Sequence, residues 1–194
     1  MNPKLTGILT AGGKSSRMNQ NKALIEFNGK KLIEYSFDIL SKLCDEILIS
    51  SNSNEYAFLS KNINPDIYKE IGPLGGIFSC LQHSQNEKCL ILPCDTPFIK
   101  TELLEYLLKF SKDFETVIPE INGKIEPLIG IYSKSSIPIL EKQIKEKEYS
   151  LYQTIIKTKY KFIEINPNLD FYTDTLFYNI NSQNDLEKAQ HSKF

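Results

Sequence analysis

The stretch Lys88-Cys-Leu-Ile-Leu-Pro-Cys-Asp-Thr-Pro-Phe constrains the fold more than any other. From Cys89 to Leu92 every side chain is apolar, which suits a strand covered on both faces rather than one with a wet side. Two prolines then bracket Asp95 and set its carboxylate on a stiff backbone just past the strand. Leu5–Thr10 and Glu46–Ser50 read as two further strands. Between them, Lys31–Leu43 has helical spacing, with Leu32, Tyr35, Ile39 and Leu43 on one face. Gly75–Ser84 reads as a helix, and Thr101 can cap another through Leu103, Leu104, Leu107 and Leu108. Further strand candidates are Thr116–Ile118, Leu128–Tyr132, Lys161–Ile165 and Phe177–Ile180. Asn122-Gly123 predicts a hairpin-like turn, and Ser182 with Asp185 a capped final helix ending near Gln190.

Strands alternating with helices predict an α/β domain with a mostly parallel central sheet. A length of 194 residues, with no internal repeat or Pro/Gly/Ser linker, predicts one domain over residues 1–194. In such sheets ligands collect at the carboxyl ends of the strands, so the loops there are where chemistry is expected.

The loop after the first strand runs Thr10-Ala11-Gly12-Gly13-Lys14-Ser15-Ser16-Arg17-Met18, and Lys22 follows four residues on. Glycines let backbone amides approach an anion, and Lys14, Arg17 and Lys22 gather cations on one loop. A nucleoside triphosphate is the natural occupant, although a turn with solvated lysines has the same local look. The spacing is not that of a Walker A loop, because Ile8 stands where its first glycine belongs, and GxGxxG fails as well. Asp95, at the edge of a buried strand, can hold Mg²⁺, which prefers oxygen ligands and bridges acids to substrate phosphates; a turn-forming Asp is the alternative. Gly72-Pro73-Leu74-Gly75-Gly76 forms another glycine-rich loop. Asn179 and Asn181 place two amides on one side of a short extended stretch, able to meet a heteroaromatic edge or to act as cap residues.

Charge narrows the partners. A net charge of −1 argues against coating a nucleic acid, which takes a surplus of Lys and Arg to displace counterions. Position matters more than the sum. Met1–Lys31 holds six basic residues and one acid, and the only Arg among 23 basic side chains is Arg17. A planar guanidinium suits phosphate oxygens better than an ammonium does. No apolar run approaches the ~18 residues of a membrane span, and the first residues lack a secretory pattern, so a cytoplasmic location is expected. The four cysteines form no CxxC pair and are expected to be buried and reduced. His83 and His191 are the only histidines, too few and too far apart for a zinc or iron site.

Taken together, LTAGGKSSRMNQNK, GPLGGI, PCDTPF, EPLIGIYS and FYNINSQNDL resemble, in that order, segments of the molybdenum cofactor guanylyltransferases, nucleotidyltransferases with a Rossmann-like three-layer domain. The resemblance implies transfer of GMP from GTP to the terminal phosphate of molybdopterin-bound molybdenum cofactor. It would place Thr10, Ala11 and Gly12, beside Gly13, against guanine, Arg17 and Lys22 on phosphates, Asp95 on Mg²⁺, and Asn179 and Asn181 toward the pterin. Gly75 belongs to the family's GPLGG segment. Transient contact with cofactor-delivering and cofactor-receiving proteins is implied as well. Departures fall on the base and ribose side. Asn19 replaces a glycine, Ser50 stands where the family usually has Asn, with Asn52 two positions later, and Glu70 takes the place of an acid often present as Asp before GPL. A relative using CTP or another phosphate acceptor, and a non-catalytic nucleotide-binding protein of the same fold, are the competing readings.

Overall fold

A computed structural model describes residues 4–12, 21–60 and 62–191. In chain order the elements are β1 (Leu5–Thr10), β2 (Glu26–Phe27), β3 (Lys30–Lys31), α1 (Leu32–Leu43), β4 (Glu46–Ser50), β5 (Ile63–Asn64), α2 (Pro73–His83) and β6 (Lys88–Pro93). They continue with α3 (Thr101–Leu108), β7 (Thr116–Ile121), β8 (Lys124–Ile125), β9 (Gly130–Ser133), α4 (Ile137–Lys145), α5 (Leu151–Ile155), β10 (Tyr160–Glu164) and α6 (Gln183–His191).

The main sheet has the order β10-β7-β9-β6-β1-β4-β5, with β8 paired to β7. The β1–β4, β1–β6, β4–β5 and β7–β10 pairs are parallel, and β9 runs antiparallel between β6 and β7. Six strands therefore point the same way and bring their carboxyl ends to one edge. Successive residues serve opposite faces, as the pleat requires. Leu9, Ile49 and Leu90 join α1 and α3 in one core, while Ile8, Leu48 and Ile91 join α2 and α4 in the other. That division makes the α/β/α sandwich and explains the unbroken apolar run of β6.

The helix and strand boundaries expected from sequence hold within a few residues, with instructive exceptions. Lys100 caps α3, so Thr101 is its first residue. Phe177–Ile180 forms no strand: a turn runs into Phe177, and Ile180, like Leu176 just before the segment, is fully buried. Asn122-Gly123 does close a hairpin, β7 to β8, through left-handed backbone at φ 51° and 74°. Asn28-Gly29 builds the β2–β3 hairpin in the same way, at φ 48° and 81°. Those two strands feed α1, where Glu34 accepts the Lys31 N–H at 2.6 Å.

Candidate active site

Three parallel strands end level with one another. Thr10 is in register with Ser50 on one side and Pro93 on the other. The ladder runs one residue further into each loop, since Ala11 N–H donates to the Ser50 carbonyl and Cys94 N–H to the Thr10 carbonyl, both at 3.1 Å. The loops carrying Ala11-Gly12 and Cys94-Asp95 therefore leave the sheet side by side.

Lys22 enters this edge from a short 3-10 turn, Lys22–Leu24, whose Asn21 cap accepts the Ala23 N–H at 3.2 Å. Its ammonium donates to the Asp95 carboxylate and to Asn181 Oδ1, the latter at 2.7 Å. The side chains of Lys22 and Asp95 are 20% and 14% exposed, so the pair is shielded yet reachable. The Asn179 amide nitrogen lies 2.7 and 3.0 Å from the two Asp95 carboxylate oxygens, and Ile180 N–H donates to the Asp95 carbonyl at 2.9 Å. This segment is tied to α6, because Asp185 accepts the Asn181 N–H at 3.1 Å and the Ser182 hydroxyl at 2.8 Å. The Ser182 hydrogen bond is the main reason the Asp185 carboxyl titrates below its ordinary value.

Residues 22, 95, 179 and 181, far apart in sequence, thus meet in one cluster. Arg17 and Gly13 lie outside the described residues. Thr10, Ala11 and Gly12 line the adjoining loop. Ser50 is turned away and buried under α2, where a β-carbon at Gly76 would stand 2.3 Å from its hydroxyl. Gly75 is buried too, and its missing side chain is required by the Tyr68 carbonyl, 2.6 Å from where a β-carbon would be. Glu70 is exposed, with left-handed backbone at φ 62°. Beside the edge stands Asp66 instead. It accepts from Asn52 Nδ2 at 3.1 Å and returns its own N–H to Asn52 Oδ1 at 3.0 Å.

Two residues near the site are not singled out from the sequence. Asp66 stands six residues before Gly72, farther from GPL than Glu70, and nothing local marks it. Glu126 opens the EPLIGIYS segment; burial first, and the negative charge of Asp95 second, raise its carboxyl above the ordinary value. Its half-buried side chain is a second acid facing the Asp95 region. Cys94, next to Asp95, is no nucleophile, since burial pushes its thiol up to about 12. His83 is occupied by the Ser79 carbonyl at 2.7 Å. Among the described residues no three or more His, Cys, Asp or Glu side chains group as a metal site. The described groups are a cation, carboxylates and amides at a sheet edge, suited to neutralising and aligning phosphates rather than to covalent catalysis.

The MobA-like NTP transferase domain matches residues 7–160. The chain belongs to that family. A probable molybdenum cofactor guanylyltransferase of Carboxydothermus hydrogenoformans is 37% identical, over 95% of this chain and 94% of that protein. One from Clostridium perfringens strain 13 is 36% identical over 95% of each. Among solved structures, molybdopterin-guanine dinucleotide biosynthesis protein A of Archaeoglobus fulgidus superposes with a TM-score of 0.81 at 25% identity, covering 95% of this chain and 96% of that one. The family match spans the β1 loop and Asp95, and the full-length relatives extend it over the Asn179–Asn181 segment. No helix among the described residues is long and apolar enough to cross a membrane.

Proposed function

We propose that this member of the MobA-like NTP transferase family, acting as one domain, transfers GMP from GTP to the terminal phosphate of molybdopterin-bound molybdenum cofactor. The observation that carries the reading is the Lys22–Asp95 pair held by Asn179 and Asn181 at the sheet edge, in a chain whose full-length relatives bear the guanylyltransferase name. An oxygen of the acceptor phosphate attacks the α-phosphorus of GTP. The bond from that phosphorus to the bridging oxygen breaks, and pyrophosphate leaves with the electron pair. The attacking phosphate monoester has a second pKa near 6, so it is largely ionised at neutral pH and needs no strong base. Bringing two polyanions together is the difficulty, and it is met by charge and alignment.

Arg17 and Lys22 bind phosphates in this reading, Lys22 exchanging the Asp95 carboxylate for the incoming triphosphate. Asp95 would hold Mg²⁺. The donor set fits: a carboxylate steadied by Asn179 offers the oxygen ligand this ion prefers. When bound, the ion supplies positive charge against the developing pyrophosphate. Among the described residues, a β-carbon at Gly12 would meet the Ser50 carbonyl at 3.9 Å and nothing nearer, and the missing side chain leaves room for a purine. Both backbone groups of Ala11 are already engaged within the protein, by the Ser50 carbonyl and by Tyr56. The Ala11 carbonyl keeps a second lone pair, so contacts to guanine come from Thr10, Ala11 and Gly12, and Asn52 with Asp66 serves the base and ribose side. Asn179 and Asn181 support Asp95 and Lys22 first and reach the pterin side second. A cytoplasmic location, and transient exchange with proteins that deliver and receive the cofactor, complete the proposal.

The test is pyrophosphate release measured with GTP, CTP and ATP side by side, with molybdopterin-bound cofactor as acceptor. GTP is the expected donor; preference for CTP overturns the base assignment. Asp95→Asn is expected to cost on the order of 100-fold or more in turnover with the fold retained, and undiminished activity would remove Asp95 from the mechanism.

A further inference from the structure

Tyr56 belongs to none of the motifs that point to the site, yet its hydroxyl lies within hydrogen-bond distance of both ends of the loop that does. It closes a short 3-10 turn, Asn54–Tyr56, which Ser53 caps by accepting the Glu55 N–H at 3.3 Å. Its ring is 2% exposed and packs in the α1-side core. Its hydroxyl lies 3.2 Å from the Ala11 carbonyl and 3.0 Å from Asn21 Oδ1. Ala11 and Asn21 bracket the Gly12–Gln20 stretch, which contains Arg17 and ends two residues before Lys22.

A phenol has one proton and so donates to one of these oxygens at a time. The two acceptors are not equally supplied. Asn21 Oδ1 also takes the Ala23 N–H, and Asn21 Nδ2 donates to Glu55 at 2.8 Å. The Ala11 carbonyl, on a residue 9% exposed, has no other partner among the described residues. A buried carbonyl without a donor is costly, so the proton belongs chiefly to Ala11, with Asn21 at contact distance to take it over. Burial raises the Tyr56 hydroxyl above its ordinary value, which keeps the proton in place.

We propose that Tyr56 is a positioning residue for nucleotide binding, a clasp that fixes the distance between the end of β1 and the turn that aims Lys22. It touches no substrate and acts through Ala11 and Asn21. The inference rests on the nucleotidyl-transfer reading only in taking the end of β1 and Lys22 to meet the triphosphate.

Tyr56→Phe keeps the ring and its packing and removes only the hydroxyl. The expected result is a rise of about tenfold in the KM for GTP and in the Kd of a non-hydrolysable GTP analogue, with kcat within about twofold and the KM for the molybdopterin substrate unchanged. Asn21→Ala should raise the same constants. The double variant should be no weaker than the weaker single one, because the two residues form one clasp. A lowered melting temperature with unchanged GTP constants, or multiplicative effects in the double variant, overturns the proposal. Binding of GTP, CTP and ATP analogues by calorimetry keeps this test separate from the function: the clasp must affect whichever triphosphate binds, even if no guanylyl transfer is detected.

Discussion

Asn179 turns its amide nitrogen toward both carboxylate oxygens of Asp95, at 2.7 and 3.0 Å, and toward the Asp95 carbonyl at 3.2 Å. With Lys22 on the same carboxylate, Asp95 is held in one orientation before any ligand arrives. Such outer partners commonly matter about 10- to 100-fold in metal affinity or activity. Asn179→Ala is therefore expected to raise the Mg²⁺ concentration giving half-maximal turnover by about that factor while circular dichroism stays native. An unaltered Mg²⁺ titration would reduce Asn179 to a loop residue.

Glu126 should show the opposite balance between stability and activity. Its folded-state carboxyl is raised, first by burial and then by Asp95. A raised value means that its favourable contribution is complete below the unfolded value near 4.5 and is lost as pH rises through the folded one. At pH 7 the ionised side chain therefore works against the fold. Glu126→Gln is expected to raise the melting temperature at pH 7, with the gain shrinking toward pH 4, and to lower transfer activity. A melting difference that does not vary between pH 4 and 7 would contradict the electrostatic cause.

Glycine is required under α2 more than at position 12. A β-carbon at Gly76 would lie 2.3 Å from Ser50 Oγ and 3.4 Å from Asp66 Oδ1. Gly76→Ala must displace the buried Ser50 hydroxyl, and overpacking of this kind costs about 1–3 kcal/mol. Gly12→Ala meets, among the described residues, the Ser50 carbonyl at an ordinary 3.9 Å and should leave stability unchanged. Urea unfolding of the two variants checks the contrast, and equal midpoints would refute it.

These residues mark what sequence could and could not reveal. The β1, β4 and β6 strands and their shared edge were legible because each strand is apolar on both faces and its local pattern suffices. Asp95 was legible from the prolines around it. The Phe177–Ile180 segment is no strand because its apolar residues answer to tertiary burial; its one strand-like bond, Ile180 to Asp95, spans 85 residues and leaves no local periodicity. Ser50 reads as a site residue by position, but the pleat turns its hydroxyl under α2. Tyr56 carries no motif at all, since its role depends on where two distant backbone points meet. The hairpin at Asn28-Gly29 was visible in principle through its Asn-Gly signal.

The thiols offer an alkaline test. Burial pushes Cys44, Cys80 and Cys94 up to about 12 and Cys89 up to about 11. Raised values mean that their stabilising contribution is intact below the unfolded value of 9.0 and is lost as pH climbs from there toward 11–12. The urea midpoint should fall between about pH 8.5 and 10.5, and Cys80→Ala should make that fall shallower. Native protein at pH 8 should react slowly with a thiol reagent and quickly in urea; rapid labelling of all four in the native state would show that they are accessible.

The bond from Ile180 to the carbonyl of Asp95 also sets an order of events during synthesis. Chains emerge from the ribosome amino terminus first and fold as they lengthen. Lys22 and Asp95 can find each other once β1 and β6 have paired, but Asn179 and Asn181 are made 84 and 86 residues after Asp95. A partly made chain therefore holds an exposed ion pair without its amide supports. In the proposed reading, competence for transfer therefore waits on synthesis of the Asn179–Asn181 segment.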